Sequence, residues 1–266
     1  MTKIKNIVVI GTSFSSAGGF EPDSAVRKIL PKYDDMPIPQ QMEDCAWPAY
    51  LQKMIPDIKV HNLARPGAGI EHLIRVGTEW IRDHDVKDTL FLLEGSGYGR
   101  MELWDVDVKK HVICNWEKNK SEEKYKLSIH SGEYWKDSPE YSARIESKKE
   151  VLREWMKAYL DPNVNVQNLS RQLFNFICML NYKGIKFKLF GERFIERKVD
   201  NEPIVISNFL KLYEKDKIYC SIHNWIIESG YQIKLVTQGE NQDFHATVRG
   251  NKVIAETYYD QLKSLL

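Results

Sequence analysis

At 266 residues the chain has material for one large α/β domain, or for a domain carrying a sizeable insertion. A formal net charge of +1, with 42% hydrophobic and 28% charged residues, argues against the basic face that nucleic-acid binding needs. No apolar run approaches the roughly 20 residues that cross a bilayer. The N-terminal stretch Met1–Phe14 has too short an apolar segment, and no small-residue cleavage site, for a signal peptide. The four cysteines, Cys45, Cys114, Cys178 and Cys220, are scattered without a C-x-x-C pair, so they read as reduced, mostly buried thiols. No Cys or His cluster has ligand spacing, and no metal site is expected.

In chain order, residues 4–10 form a continuous β-branched run, as in a central parallel strand covered on both faces. A Gly/Ser-rich turn from Gly11 to Gly19 follows, then a polar, Pro-containing stretch to about residue 42. Residues 46–55 read as a short helix ended by Pro56, and 58–64 as a second strand closing at Pro66-Gly67. Ile70, Leu73, Ile74, Gly77, Trp80 and Ile81 then follow the i, i+3, i+4, i+7 spacing of an amphipathic helix. A third strand, Thr89–Leu93, runs into the glycine-rich turn Gly95-Ser96-Gly97-Tyr98-Gly99.

Residues 101–143 break this rhythm and carry His111, His130, Trp116 and Trp135, which suggests an insertion, a lid or a small β excursion. Helices resume near 144–160 and 165–183, the second with Leu169, Leu173, Phe176, Ile177 and Leu180 on one face. Gly184 is a natural helix C-cap before a fourth strand, Ile185–Phe190. Helical segments near 204–214 and 218–229, a fifth strand at 231–236 and a terminal helix at about 247–265 complete the pattern. The alternation predicts a three-layer α/β/α protein with a flavodoxin-like parallel sheet, one domain over 1–266 with an inserted segment at about 101–160.

In such a sheet, loops at the carboxyl ends of the strands form the ligand crevice. Ser13, Gly67 and the 95–100 turn each follow a strand, so they are expected on one edge although they lie far apart in sequence. Near the C-terminus stands Asp243-Phe244-His245. A Ser hydroxyl is a poor nucleophile until a base takes its proton, and a carboxylate holds that imidazole in the required tautomer. Ser13, His245 and Asp243 therefore make a candidate acyl-transfer triad.

The pattern resembles the SGNH (GDSL-type) hydrolase family, especially its phage-encoded members. That family places its nucleophile after the first strand as Gly-Asp-Ser; here it is Gly11-Thr12-Ser13, with Thr12 in the place of Asp. Asn62-Leu63-Ala64-Arg65-Pro66-Gly67 resembles the second block, which implies an oxyanion role for the backbone N–H of Gly67 beside that of Ser13. Asp243-Phe244-His245-Ala246 resembles the last block, with one residue between Asp and His where two are usual. The third block departs most: Glu94-Gly95-Ser96-Gly97-Tyr98-Gly99-Arg100 stands where Gly-x-Asn-Asp is expected. Ser96, Tyr98 or Arg100 could supply the oxyanion donor in place of the absent Asn, with Arg100 favoured, and Ser96 and Tyr98 are also candidates for substrate contact. The resemblance covers 5–100 and 185–266. It implies an esterase acting on a small-molecule or carbohydrate ester, with O-acetyl groups leading and no cofactor, in the host cytoplasm or on a virus particle.

Each residue also has a plainer reading. Ser13 could be a turn former, Asp243 a cap of the terminal helix and His245 a surface imidazole. His61, His72, His84 and His223 read as structural or solvated, His111 and His130 as possible substrate contacts, and the charged helix at 144–157 as a solvated face. Two rival functions stand beside the esterase. One is a non-catalytic protein of the same fold, such as a glycan-binding virion component. The other is an S-adenosylmethionine-dependent methyltransferase, whose glycine-rich loop Glu94–Gly99 resembles.

Overall fold

In the computed structural model, residues 3–13, 15–17, 44–95, 100–106, 109–118, 125–130, 139–159, 162–190, 246 and 248–266 are described. The expected elements at 204–214, 218–229 and 231–236 lie outside them, as do Ser96, Tyr98, Cys220, His223, Asp243 and His245. Four parallel strands, β1 (Asn6–Ile10), β2 (Lys59–Asn62), β3 (Thr89–Glu94) and β7 (Lys186–Phe190), lie in the order β2-β1-β3-β7. Register runs Ile7 with Val60 and Leu90, and Phe91 with Phe187. A chain that moves outward from β1 to β2, then crosses back to β3, is wound in both directions, and β1 and β3 flank its switch point.

Period-two alternation divides the apolar residues of these strands between two cores. Val8, Ile10, Phe91, Leu93, Phe187 and Leu189 face one side, where α2 (Ile70–Asp83) and α4 (Pro162–Tyr182) pack through Ile70, Leu73, Leu173 and Phe176. Ile7, Val9, Leu90, Leu92 and Phe190 face the other, covered by α1 (Trp47–Met54) and α5 (Val248–Leu262) through Trp47, Leu51, Ile254 and Tyr258. Both faces are thus dry, which is why β1 and β3 read as unbroken apolar runs. The architecture is α/β/α in three layers. Gly184, at φ 65°, ends α4, and Ile185 N–H reaches back to the Leu180 carbonyl, 2.9 Å. No helix among the described residues is long and apolar enough to cross a membrane.

Between β3 and α4 the chain leaves the parallel sheet and builds elements of its own. Strands β4 (Arg100–Asp105), β5 (Lys110–Lys118) and β6 (Tyr125–His130) form an antiparallel meander, and α3 (Pro139–Tyr159) follows. The stretch that breaks the α/β rhythm is therefore a folded β excursion that begins at Arg100. Its helix starts five residues before the expected 144, because the Glu/Lys-rich first turns of α3 carry little apolar period to read.

Candidate active site

The switch-point loop after β1 is stitched to its neighbours on both sides. Toward β2, Leu63 N–H donates to the Val9 carbonyl at 2.8 Å and Arg65 N–H to the Gly11 carbonyl at 3.0 Å. Asn62 Nδ2 donates to the Ser15 carbonyl at 2.9 Å, while its Oδ1 accepts from Ala64 N–H. Gly67 thus stands in a loop sewn to that of Ser13, as the edge argument requires. Its φ of 76° lies in the left-handed region, where a side chain is disfavoured. Arg100 lies by the same loop, its Nη1 donating to the Ala68 carbonyl at 3.2 Å.

Toward β3 the partner is Glu94, whose carboxylate is buried. Oε2 accepts from Thr12 N–H at 2.8 Å and from the Ser15 hydroxyl at 2.6 Å, and Oε1 accepts from the Thr12 hydroxyl. Ser15 Oγ in turn accepts from Trp47 Nε1 at 3.1 Å. Trp47 is fully buried, with Phe190 and Tyr258 edge-on to it at 5.6 and 4.8 Å. Ser13, in the same loop, is buried, with 9% of its surface exposed.

The terminal helix joins the same region through Asn251, also fully buried. Its Oδ1 accepts from Trp47 N–H at 3.1 Å and its Nδ2 donates to the Ala246 carbonyl at 3.2 Å. Ala246, which follows His245 in the sequence, is itself buried in the core beneath α1 and α5. A continuous chain of contacts therefore leads from the Ser13 loop through Ser15, Trp47 and Asn251 to Ala246.

No family model matches the chain, and no curated relative matches it. Among solved structures it is similar to TesA, at 16% identity and a TM-score of 0.45, over 98% of this chain and 100% of that one. It is similar also to the psychrotrophic esterase EstA from Pseudoalteromonas sp., at 12% identity and a TM-score of 0.45, over 98% of each chain. A member of the lipolytic protein G-D-S-L family from Veillonella parvula is a third, at 11% identity and a TM-score of 0.44, over 98% and 100%. These are what the chain is similar to.

Sequence reading missed four residues that build this edge: Glu94, Asn62, Trp47 and Asn251. Glu94 was visible only as the start of a glycine-rich turn; its carboxylate is engaged by Thr12 and Ser15. A second polar cluster joins the small sheet to α2. Glu102, buried, receives Arg75 Nε at 2.6 Å and Arg75 Nη2 at 2.7 Å, with His72 Nδ1 at 3.2 Å. Burial alone would raise the Glu102 carboxyl, but the hydrogen bonds and charges of Arg75 and His72 outweigh it and bring it to about 2. Glu71, whose Oε2 accepts from Glu102 N–H at 2.6 Å, is pushed the other way by desolvation and by its acidic neighbour. Burial, with Glu71 nearby, pushes the Cys114 thiol up to about 12, so it is an inert core group. His72 bridges Glu102 and the Leu63 carbonyl, and His61 and His84 pack on Trp80 at 4.6 and 3.7 Å, which are structural placements. His111 lies edge-on to the half-exposed Trp104 at 4.9 Å, with its carbonyl accepting from Arg65.

Proposed function

We propose that this chain is a serine esterase of the SGNH (GDSL-type) class, one domain with an inserted segment, hydrolysing small acyl esters such as O-acetyl groups on a carbohydrate. Ser13 Oγ attacks the ester carbonyl as His245 takes its proton, and Asp243 holds the imidazole and offsets its charge. The N–H groups of Ser13 and Gly67 receive the oxyanion, and Arg100 adds positive charge beside the Gly67 loop. His245 returns the proton to the leaving alcohol, and water then resolves the acyl-enzyme by the reverse proton path. Ser96 and Tyr98 contact the substrate. This chemistry calls for no metal or organic cofactor.

The observation that supports this reading most is the sewing of the Ser13 loop to the Gly67 loop at the switch point, where an α/β sheet opens its crevice. The contact chain that ends at Ala246 adds to it, since it ties the sequence neighbour of His245 to the same loop. A fluorophosphonate probe is expected to label the wild type and not Ser13→Ala. Hydrolysis of a short-chain aryl ester is expected to fall by at least about 10³-fold in Ser13→Ala and His245→Ala. Equal rates in wild type and Ser13→Ala would refute the esterase. A folded wild type that the probe leaves unlabelled favours the non-catalytic, glycan-binding alternative.

A further inference from the structure

We infer that Glu94 is the positioning residue of the nucleophile: one buried carboxylate at the end of β3 holds Thr12 and Ser15, on either side of Ser13, and so fixes the loop that carries it. The inference rests on the esterase reading and adds a residue to it. Ser13 is flanked by two anchored neighbours, Thr12 through its N–H and hydroxyl and Ser15 through its hydroxyl, all three donating to the same carboxylate. A carboxylate offers acceptors only, so it matches three donors without competition. Ser16 N–H donates to the Thr12 carbonyl at 3.1 Å, which fixes the plane of the Thr12–Ser13 peptide. In a trans peptide the N–H points opposite to the carbonyl, so that bond turns the Ser13 N–H away from the loop interior.

Gly11 belongs to the same device. A Cβ on Gly11 would collide with Glu94 Oε2 and stand 2.7 Å from Glu94 Cβ, so the glycine is required by the closeness of Glu94. The carboxylate that the family pattern carries within its first block is absent at Thr12, and here a carboxylate reaches the same loop from the third strand. Among the described residues no salt bridge engages Glu94. Its three loop donors are the partners that compensate its burial.

The test compares wild type, Glu94→Gln, Glu94→Ala and Ser13→Ala in aryl-ester hydrolysis, with rates normalised to folded protein and to fluorophosphonate-titratable sites. Glutamine can keep all three contacts, its oxygen accepting from Thr12 N–H and Ser15 while its amide donates to a reversed Thr12 hydroxyl. The expected result is a kcat about 10²-fold lower in Glu94→Ala with KM little changed, and within about 10-fold of wild type in Glu94→Gln. A role in stability alone would lower the folded fraction and leave the normalised kcat untouched. Wild-type kcat in Glu94→Ala, or equal losses in the Gln and Ala variants, overturns the inference and leaves the esterase standing. An inactive, unlabelled wild type brings down both. Should Glu94→Ala not fold, Thr12→Val and Ser15→Ala each cut one strap and are expected to lose about 10-fold in kcat; wild-type kcat in both overturns the inference.

Discussion

Arg75 shows how a single side chain decides whether a buried charge is an asset or a burden. It forks both oxygens of Glu102, whose side chain is only 4% exposed. Removing one partner of a buried pair leaves the other uncompensated, which costs about 3–5 kcal/mol, whereas removing both is far milder. Arg75→Met is therefore expected to lose about 3 kcal/mol, and adding Glu102→Gln to recover part of it. Urea midpoints of the two single variants and the double variant check this, and simple additivity would contradict it. Nothing in the sequence pattern marked this pair. Glu102 lies in a stretch without readable periodicity, and its meeting with Arg75 is a contact across 27 positions. Ser13 and Gly67, by contrast, were legible because each directly follows a strand, and strand ends in a parallel sheet share an edge.

At the scale of elements, helix α2 was legible because its apolar residues repeat with helical spacing, and β1 and β3 because unbroken β-branched and leucine runs need two dry faces. What periodicity could not convey is why Gly77 sits in the middle of α2. A Cβ there would stand 2.6 Å from Phe176 Cζ and 3.3 Å from Ile10 Cδ1, so this glycine lets α2 and α4 close over the sheet. Alanine would add about 1 kcal/mol of helix propensity but overpack a core that costs about 1–3 kcal/mol to disturb. Gly77→Ala is therefore expected to lower the thermal midpoint, although the same change on an exposed helix face would raise it. A scanning-calorimetry trace decides between them. The three strands of the small sheet were hidden for a different reason: their pairing is with each other, and lysine, glutamate and tryptophan alternate too loosely to reveal an inner face.

For the whole molecule, the opposed carboxyls of Glu102 and Glu71 shape the response to acid. Glu102 titrates lower in the folded chain than its ordinary 4.5, so its stabilisation is complete above that value and is lost as pH falls through about 2. Glu71 titrates higher than ordinary, so its ionisation works against folding at neutral pH and the penalty fades as acid protonates it. Glu71→Gln, which keeps an oxygen for Glu102 N–H, is expected to raise the urea midpoint at pH 7, with the gain shrinking steadily toward pH 4. A gain independent of pH would show that the charge of Glu71 is not its cause. By itself the sequence determined the strands of the parallel sheet and the helices that cover it among the described residues, the two-faced burial of that sheet, and the shared edge of the loops after β1 and β2. All of these follow from local periodicity and from the geometry that parallel strands impose. The tertiary structure alone decided which carboxylate holds the Ser13 loop and which pairs clamp the small sheet to α2. Such contacts join residues distant in the chain, and their energies come from burial and donor geometry, neither of which leaves a periodic trace.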